Sequence, residues 1–488
     1  MVDGRPEESE RPNVVTIVLD CVRAKSVGLS GGRNVACTPN LDGLAARGTN
    51  FPRAVAPSNW TVPSHMSIFT GRYPSAHGRR SFVRGGAPAS TTAQWLAEVG
   101  YETALFSEMV HLAGGYGLED GFGNVRAARV GVSDEERTAA NRLLGHARFL
   151  YSERVRRAIA RVPPLIVPLN ALNHPQEQAF KRAVCGDGVV SDFDQWVTGR
   201  STSKPFYAFL NFVDGHEPYP IVPNGSRLGP LARWYARTPR YYLLAVDGLQ
   251  RLVPWESVER GYLAAIEAAD AKVGRVWRAL ERAGVADRTV LIVTADHGQS
   301  FGEAGNIFHG CGGTDSITRV PLVVVPPRSQ HTPPMVDRWA SLCELDPWIR
   351  SFANGGTPDY EAPWPRSGGL DLQNGSSGTV YCEGGPASDP NRSLIGVRGD
   401  QSWNHRLLVA YRQDEKVVWD QVTGSVVSWT YPGDPDSVAP TVLEGGAARA
   451  AREHLFAPYL RPGAAPGPTP SGDARSSVDA RLRSWGYD

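Results

Sequence analysis

Two apolar runs in this chain each end in an aspartate, and this feature constrains the fold most. NVVTIVLD occupies residues 13–20, and RTVLIVTAD occupies residues 288–296. Continuous apolar runs of this length, rich in Val and Ile, are typical of strands that are buried on both faces of a parallel sheet. In open α/β sheets, ligands bind beyond the carboxyl ends of the strands. The two runs therefore predict a buried sheet with a polar site at the edge where Asp20 and Asp296 lie.

Strands and helices are predicted to alternate along the chain up to about residue 330. Further strands are predicted at 101–107, 205–213 and 320–325, and helices at 38–48, 91–100 and 256–284. The longest helix carries apolar residues at helical spacing and ends at a glycine, as helices commonly do. This alternation predicts an α/β fold with a mainly parallel central sheet flanked by helices.

The residue composition and the predicted pattern of strands and helices change twice along the chain, and these changes predict the domain organisation. Residues 1–330 are predicted to form the main α/β domain with an Arg-rich helical insertion at about 127–200, which is either a lid over the site or a plain structural excursion. Residues 331–488 are predicted to form a smaller α+β subdomain with an antiparallel sheet. Its β-like pieces are GTVYCEG, SLIGVRG, HRLLVAYR and EKVVWDQ. The segment 461–474 is Pro- and Gly-rich and is predicted to be a mobile linker.

Composition excludes several classes of partner. The net charge of +1 at pH 7 gives no field that would attract nucleic acid or an anionic membrane, so we expect neither. The six cysteines are scattered without a CxxC pair, which favours free thiols in a reducing compartment. The N-terminal residues are acidic and polar rather than those of a signal peptide, and no run of 18 apolar residues occurs. We therefore expect a cytoplasmic protein, and the oligomeric state does not follow from the sequence.

The segment NWTVPSHMSIFTGRYPSAHG, residues 59–78, concentrates hydroxyl groups at the start of a helix. The helix is predicted to open at Pro63 and to stop at Gly71. Thr61 then has two interpretations. It is either the N-cap that helices prefer, or a nucleophile beside an anion that docks on the unpaired N–H groups of the helix start.

A metal site is the natural interpretation of the two strand ends. Asp296 is followed at once by His297, and carboxylate oxygens with one imidazole nitrogen suit a divalent cation. Any one of these residues alone is a weak signal, because an Asp after a strand is often only a turn residue. Asp20, Asp296 and His297 together with the hydroxyl-rich helix are a much stronger one.

At this point the chain resembles the sulfatase branch of the alkaline phosphatase superfamily. The matching segments run in family order over about residues 13–326. They are NVVTIVLDCVRA, TPNLDGLAARGTNFPRAVAPSNWTVPSHMSIFTGRYPSAHG, GYETALFSE, LEDGFGNV, FLNFVDGHEPYP, TVLIVTADHGQSFGE and ITRVPLVVVPP. The resemblance implies an alkaline phosphatase-like fold, a metal-dependent activity on a small anionic ester, and one divalent metal ion (Ca, Mg, Mn or Zn). Asp214 and His216 are the only nearby candidates for a second ligand set.

The resemblance also implies roles for individual residues. Metal ligands would be Asp20, Thr61, Asp296 and His297. Thr61 stands where the family has its nucleophile. Residues that bind the ester or take part in its chemistry would be His65, which replaces the arginine of the family motif, His216 of the H-x-P-Y block, and His309, which lies thirteen residues after Asp296.

Departures from the family pattern shape the expected reaction. Sulfatases proper oxidise a cysteine or serine to formylglycine, and the β-methyl group of Thr61 prevents formation of that aldehyde. Cys21 replaces the usual second aspartate, and Glu108 lies near the place of an expected lysine. We therefore expect hydrolysis of a phosphate, phosphodiester or phosphonate ester through a covalent Thr61 intermediate. The alternatives are a transferase using the same intermediate, a hydrolase of sulfate or sulfamate esters without formylglycine, and an inactive relative that only binds an anion.

Several of these residues also have purely structural interpretations. His65 is as consistent with packing the helix as with a direct role, whereas His77 and Cys21 favour structural roles. Arg23 and Arg319 are as consistent with buried salt bridges as with substrate contact.

Overall fold

The computed structural model describes most of the chain, with gaps. The described residues are 10–32, 35–80, 85–87, 89–127, 187–201, 204–217, 219, 255–303, 307–310, 312–362, 378–384, 407–421, 423–431, 440–456 and 459.

The described strands are Asn13–Leu19 (β1), Thr49–Asn50 (β2), Ala54–Val55 (β3), Glu102–Ser107 (β4), Asn124–Ala127 (β5), Phe206–Phe212 (β6), Thr289–Thr294 (β7), Ser300–Phe301 (β8), Ile307–Phe308 (β9), Leu322–Val325 (β10), Ala340–Ser341 (β11), Val380–Gly384 (β12), Leu407–Arg412 (β13), Glu415–Asp420 (β14), Val426–Thr430 (β15) and Thr441–Leu443 (β16).

The described α-helices are Pro39–Ala45 (α1), Thr61–Thr70 (α2), Pro74–His77 (α3), Thr92–Glu98 (α4), Gly188–Thr198 (α5), Trp255–Arg282 (α6), Asp315–Thr318 (α7), Leu345–Ala353 (α8) and Gly445–Leu455 (α9). Short 3-10 helices span Ala24–Ser26, Gly28–Ser30, Val110–Ala113, Ala286–Arg288 and Leu342–Glu344.

A seven-stranded sheet forms the centre of the molecule, with the strand order β2-β10-β7-β1-β6-β4-β5. β1 pairs in parallel with β6 on one side and with β7 on the other, and every residue of these three strands is buried. Their lack of hydrophobic–polar alternation follows from this burial on both faces. The prediction of a mainly parallel α/β sheet flanked by helices is therefore confirmed, and the carboxyl ends of β1, β6 and β7 lie side by side.

One strand of the sheet runs against the others in a way the sequence did not reveal. β10 pairs antiparallel with β7 and with β2. The apolar run at 320–325 fixes burial but not direction, because a strand buried on both faces carries no directional signal. The direction follows only from the pairing seen in the structure.

A second sheet confirms the prediction for the C-terminal part. β12 to β16 form a five-stranded antiparallel sheet in sequential order, and α9 packs against it with Ala448 and Leu455 buried. The strands predicted from GTVYCEG, HRLLVAYR and EKVVWDQ correspond to β12, β13 and β14. The segment SLIGVRG, most of the insertion at 127–200 and the segment 461–474 lie outside the described residues.

The hydrophobic core of the central sheet continues beyond residue 330. Trp348, Ile349 and Phe352 of α8 belong to the same buried cluster as the residues of β1 and β7. β11 also pairs in parallel with β3. The domain boundary at residue 330 stays a prediction. Within the described residues, no helix combines the length and the apolar character needed to cross a membrane.

A buried ionic cluster joins α7 to the C-terminal sheet. The carboxylate of Asp315 accepts hydrogen bonds from Lys416 Nζ at 2.6 Å, Tyr411 Oη at 2.8 Å and Tyr431 Oη at 2.5 Å. Lys416 is 0% exposed, and a buried ammonium group is costly unless it is paired, so the carboxylate of Asp315 stabilises it. Burial alone would raise the pKa of Asp315, but the charges of Lys416 and Arg319 outweigh burial and hold that pKa below the usual 3.8.

We expect Lys416→Met to lower the free energy of unfolding by about 3–5 kcal/mol at pH 7, because it removes the buried ammonium group that donates to Asp315 at 2.6 Å and leaves only the more distant Arg319, at 3.7 Å, as a cationic partner. The pKa of Asp315 is lower in the folded state than in the unfolded chain, so its contribution is complete above the unfolded pKa of about 3.9 and fades as pH falls through the folded pKa. The difference between wild type and variant should therefore shrink below pH 3.8. Urea unfolding at pH 7 and at acidic pH measures both effects.

Arg449→Met is the matched control, because Arg449 pairs with Glu453 on the surface and its side chain is 75% exposed. It should leave the unfolding midpoint unchanged. Equal midpoints for Lys416→Met and wild type would contradict the assignment of this cluster as a stabilising junction.

Candidate active site

Three buried side chains meet at the carboxyl edge of the central sheet. Asp20 directly follows β1, and Asp296 and His297 follow β7 after one intervening residue. Each of the three is 0% exposed, and their ligand atoms all lie within 4.8 Å of one another. The parallel pairing of β1 with β7 causes this convergence, because it brings the ends of both strands to the same edge.

The geometry of this trio fits a divalent cation. Asp296 Oδ1 accepts hydrogen bonds from the backbone N–H groups of Cys21 and His297, whereas the buried Asp296 Oδ2 accepts none. A buried carboxylate oxygen without a partner is costly unless a cation satisfies it. His297 Nδ1 lies 2.9 Å from the carbonyl oxygen of Gly298, which can only accept, so Nδ1 carries the hydrogen and Nε2 carries the lone pair. Nε2 lies 3.4 Å from Asp296 Oδ2, and the two together can hold one ion.

Thr61 lies at the first helical position of α2 and reaches this trio. The helix begins at Thr61, earlier than the predicted start at Pro63, and its N-cap is Trp60. Thr61 makes no capping bond, so its interpretation as an N-cap is wrong. Its Oγ1 lies 3.3 Å from His297 Nε2 instead. The hydroxyl is thus placed beside the candidate metal ligands and at the positive end of a ten-residue helix.

The other polar residues of this segment serve the local structure. Ser64 Oγ donates to the carbonyl oxygen of Asp296 at 2.6 Å, which ties the helix to the end of β7. Ser67 Oγ lies 3.0 Å from His77 Nε2 and donates to the carbonyl oxygen of Pro63. His77 Nδ1 accepts from the backbone N–H of Arg79, so both ring nitrogens of His77 are used in structural contacts.

His65 lies beneath Thr61 and is fully buried. Its Nδ1 donates to the carbonyl oxygen of Thr61 at 2.9 Å and lies 3.5 Å from Asp296 Oδ2. Its ring packs edge-on against Phe69 and Phe209, and burial lowers its pKa below the usual 6.5. These contacts establish a structural role, and a direct role in binding the ester stays a prediction.

His216 and His309 face each other at the same edge of the sheet. Their ring centroids are 4.9 Å apart, and the ring of His309 also stacks on that of His297 at 4.7 Å. His216 follows β6 in a tight turn, where a Cβ on Gly215 would come within 2.4 Å of the backbone oxygen of Asp20. His309 follows β9, and the next residue, Gly310, donates its N–H to the carbonyl oxygen of Asn59, just before α2. The structure therefore brings together both predicted histidines, the trio and Thr61.

Sequence reasoning missed two residues behind these histidines. Gln299 Nε2 donates to Glu217 Oε2 at 2.8 Å, and Gln299 Oε1 lies 2.8 Å from His309 Nδ1. The only sequence signal was position: Gln299 follows the ADHG segment, and Glu217 follows His216.

A buried lysine stabilises the turn that contains His216 through hydrogen bonds. Lys272 Nζ, on α6, donates to Glu108 Oε1 at 2.6 Å and to Asp214 Oδ2 at 2.7 Å, and Glu108 Oε2 accepts from the N–H of Val213. Burial and the charge of Asp214 raise the pKa of Glu108. Burial alone would lower the pKa of Lys272, but the two carboxylates outweigh it and raise that pKa above 10.5. Asp214, a candidate ligand for a second metal, is therefore engaged by an ammonium group.

Three further residues with two interpretations can now be placed. Arg23 is buried and forms ion pairs with two partly exposed carboxylates, Glu259 and, at 2.8 Å, Glu303. Arg319 contacts Asp315 and the carbonyl oxygen of Pro52. Cys21 is fully buried, and its Sγ lies 3.1 Å from Asp20 Oδ1 and 3.6 Å from His309 Nδ1. Among the described cysteines, Cys21, Cys37, Cys343 and Cys382 are all free thiols.

A mainly parallel sheet with a buried Asp–Asp–His trio at its carboxyl edge is the arrangement of the alkaline phosphatase superfamily, and the trio is a possible site for a divalent metal ion. Within that superfamily, the chain belongs to the sulfatase family, because the family model described as Sulfatase matches residues 12–345. It is therefore a sulfatase-family hydrolase, and the predicted resemblance is confirmed.

Individual relatives agree with this assignment. The chain is 23% identical over 373 residues to an arylsulfatase of Clostridium perfringens, covering 72% of this chain and 76% of that protein. It is 26% identical over 373 residues to human iduronate 2-sulfatase, covering 68% and 64% of the two chains. Among solved structures, a phosphonate monoester hydrolase of Agrobacterium radiobacter has the same fold, with a TM-score of 0.56 at 18% identity over 98% of this chain and 96% of that one. A 2-O GAG sulfatase gives a TM-score of 0.60 at 15% identity, covering 98% and 93% of the two chains.

Proposed function

We propose that this protein hydrolyses a small anionic sulfate ester at the site formed by Asp20, Asp296 and His297, with Thr61 in place of formylglycine. One observation carries the proposal: Thr61 Oγ1 lies 3.3 Å from His297 Nε2, inside the buried cluster. Membership of the sulfatase family supports a sulfate ester over the phosphorus esters expected from the departures in the sequence. The threonine hydroxyl itself favours a second candidate, a phosphate, phosphodiester or phosphonate ester, because it is suited to direct attack without prior oxidation.

The residues around Thr61 provide for an anionic substrate. The first turn of α2 presents backbone N–H groups and the positive end of the helix dipole, which stabilise negative charge. A divalent ion held by Asp20, Asp296 and His297 would lower the pKa of the Thr61 hydroxyl and neutralise charge on the ester oxygens. Its identity among Ca, Mg, Mn and Zn is open, because two carboxylates with one imidazole suit several ions.

The proposed reaction has two steps on the Thr61 oxygen. After its hydroxyl proton is lost to water, the oxygen forms a bond to the sulfur of the ester, and the bond from sulfur to the ester oxygen breaks. The leaving alkoxide takes a proton from Nε2 of His216 or His309, which acts here as the imidazolium ion with hydrogen on both ring nitrogens, and solvent then returns that proton to Nε2. Water then adds to the sulfur, hydrogen sulfate leaves, and a proton from that water restores the hydroxyl group. A transferase would differ only in using an acceptor hydroxyl instead of water.

We expect His216→Ala and His309→Ala each to lower kcat by about 100-fold or more, as loss of a general acid or of a donor to the anion typically does. Neither residue belongs to the Asp20–Asp296–His297 trio, so the metal content should stay normal; His309 also lies with Cys21 and His297 in a second group of possible ligand atoms within 4.8 Å, which makes the metal content of His309→Ala the sharper test. Steady-state kinetics with elemental analysis of each purified variant measures both. Wild-type rates in both variants would remove these histidines from the mechanism, whereas loss of metal from His309→Ala would make it a ligand.

A panel of aryl esters tests the choice of substrate. The aryl sulfate should be turned over faster than the matched phosphate monoester, phosphodiester and phosphonate monoester, each with the same leaving group. Fastest turnover of a phosphorus ester would replace the proposal with the second candidate. A product formed on an added alcohol at the expense of water would identify a transferase.

A further inference from the structure

Behind the two candidate substrate histidines lies a glutamine whose amide nitrogen and amide oxygen both make hydrogen bonds. Gln299 is 0% exposed and follows the trio in the turn after β7. Its Nε2 donates to Glu217 Oε2 at 2.8 Å and contacts Tyr219 Oη at 2.6 Å. Its Oε1 lies 2.8 Å from His309 Nδ1.

The orientation of this amide follows from its partners. A carboxylate can only accept hydrogen bonds, so the group facing Glu217 must be the NH₂ of Gln299. The oxygen of Gln299 therefore faces His309, and an amide oxygen can only accept. His309 Nδ1 must then carry a hydrogen, and Nε2 carries the lone pair in the neutral ring.

Glu217 fixes the position of the hydrogen on the second histidine, His216, through its backbone oxygen. The backbone oxygen of Glu217 lies 2.7 Å from His216 Nδ1, and this carbonyl oxygen can only accept. The Glu217 carboxylate lies 3.7 Å from His216 Nδ1 and 3.8 Å from His309 Nδ1. One residue thus presents negative charge to the Nδ1 side of both rings, which lie 4.9 Å apart.

A metal ion is a competing interpretation of the same group. His216, Glu217 and His309 offer ligand atoms within 4.8 Å of one another. Both Nδ1 atoms that face the Glu217 carboxylate are hydrogen-bond donors, however, and a protonated ring nitrogen cannot bind a metal. The group is therefore better described as a hydrogen-bonded clamp.

We propose that Gln299 and Glu217 are positioning residues. They keep a hydrogen on Nδ1 of His309 and His216, so that Nε2 of each ring is the nitrogen that contacts the ester. The two tautomers of a neutral imidazole are close in energy, and the hydrogen bond at one nitrogen decides which of them is present. This inference rests on the proposed function only in naming the ester as the molecule that Nε2 contacts. The state of the rings is a property of the protein without substrate.

Gln299→Met tests the proposal, because methionine is close to glutamine in size but offers no acceptor to His309. The holoenzyme is labelled with ¹⁵N-histidine and loaded with a diamagnetic metal, and the ¹⁵N shifts of His309 are assigned by comparison with His309→Gln. Wild type should show the Nδ1–H form, and Gln299→Met should show a mixture with the Nε2–H form. We expect kcat to fall about 10- to 100-fold, as for loss of partners that orient an active-site histidine, with a much smaller change in KM and unchanged metal content.

Gln330→Met is the matched control, because Gln330 lies outside the site, with Thr357 as a side-chain partner. It should change neither the shifts nor kcat. An unchanged His309 signal in Gln299→Met would overturn the proposal whatever the rates do, and so would a shifted signal with normal kcat. Loss of one equivalent of metal in Glu217→Met would make the clamp a metal site and also overturn it. The shifts are read without substrate, so they do not depend on whether Thr61 or the sulfate ester has been correctly proposed.

Discussion

Thr61→Ala should lose on the order of 10⁴- to 10⁶-fold in kcat, as expected when a nucleophile that works as part of a unit is removed. The fold should be unaffected, because Thr61 makes no capping bond and even a lost cap costs only about 1 kcal/mol. Steady-state kinetics on the ester panel, with urea unfolding of the same variant, separates loss of chemistry from loss of structure.

Thr61→Ser is the matched variant, because it keeps the oxygen and removes only the β-methyl group. It should retain part of the activity. Mass spectrometry of wild type quenched during turnover should find a transferred sulfuryl or phosphoryl group on the peptide that contains Thr61, and no such adduct in Thr61→Ala. Near-normal rates in Thr61→Ala would contradict the covalent mechanism and leave attack by water at the metal site as the better account.

Asp296→Asn should abolish metal binding and turnover together. The amide oxygen can still accept from the N–H groups of Cys21 and His297, so the loop after β7 keeps its hydrogen bonds. The charge is lost, and with it the negative oxygen that lies buried beside His297 Nε2. A divalent ion prefers a charged carboxylate oxygen to a neutral amide oxygen in such a buried site. Elemental analysis after extensive dialysis, with kinetics on the same sample, measures both losses.

Asp287→Asn provides the control, because Asp287 is an exposed carboxylate that pairs with Arg328 at the surface. It should keep full metal content and full activity. Full metal occupancy and normal turnover in Asp296→Asn would show that the trio is not the metal site.

Much of the candidate site could be predicted because, in a parallel sheet, residues that directly follow neighbouring strands lie at the same edge. Asp20 and Asp296 each follow an apolar run, and β1 and β7 are neighbours in the sheet, so both carboxylates reach one edge. His216 and His309 were placed by resemblance to a family rather than by periodicity, since neither lies in a regular element. Their assignment to the ester remains a prediction, although the structure places their rings side by side.

Other features could not be predicted because they depend on partners far apart in sequence. Lys272 lies on the longest helix, where periodicity alone treats a lysine as solvent-exposed, yet it is buried against Glu108 and Asp214. Hydrophobic spacing indicates which face of a helix is apolar, but it cannot indicate which buried charge meets which partner. Only burial makes such pairing obligatory.

The sequence by itself determined the buried strands, the acidic ends of β1 and β7, the hydroxyl-rich helix and the antiparallel C-terminal sheet, because each depends on local periodicity or on a contiguous motif. Only the tertiary structure decided that β10 runs antiparallel, that Asp315 meets Lys416, and that Gln299 joins Glu217 to His309. The physical reason is the same in each case. A buried polar group must find a partner wherever the chain brings one, and that partner is fixed by packing across the whole molecule rather than by neighbours in sequence.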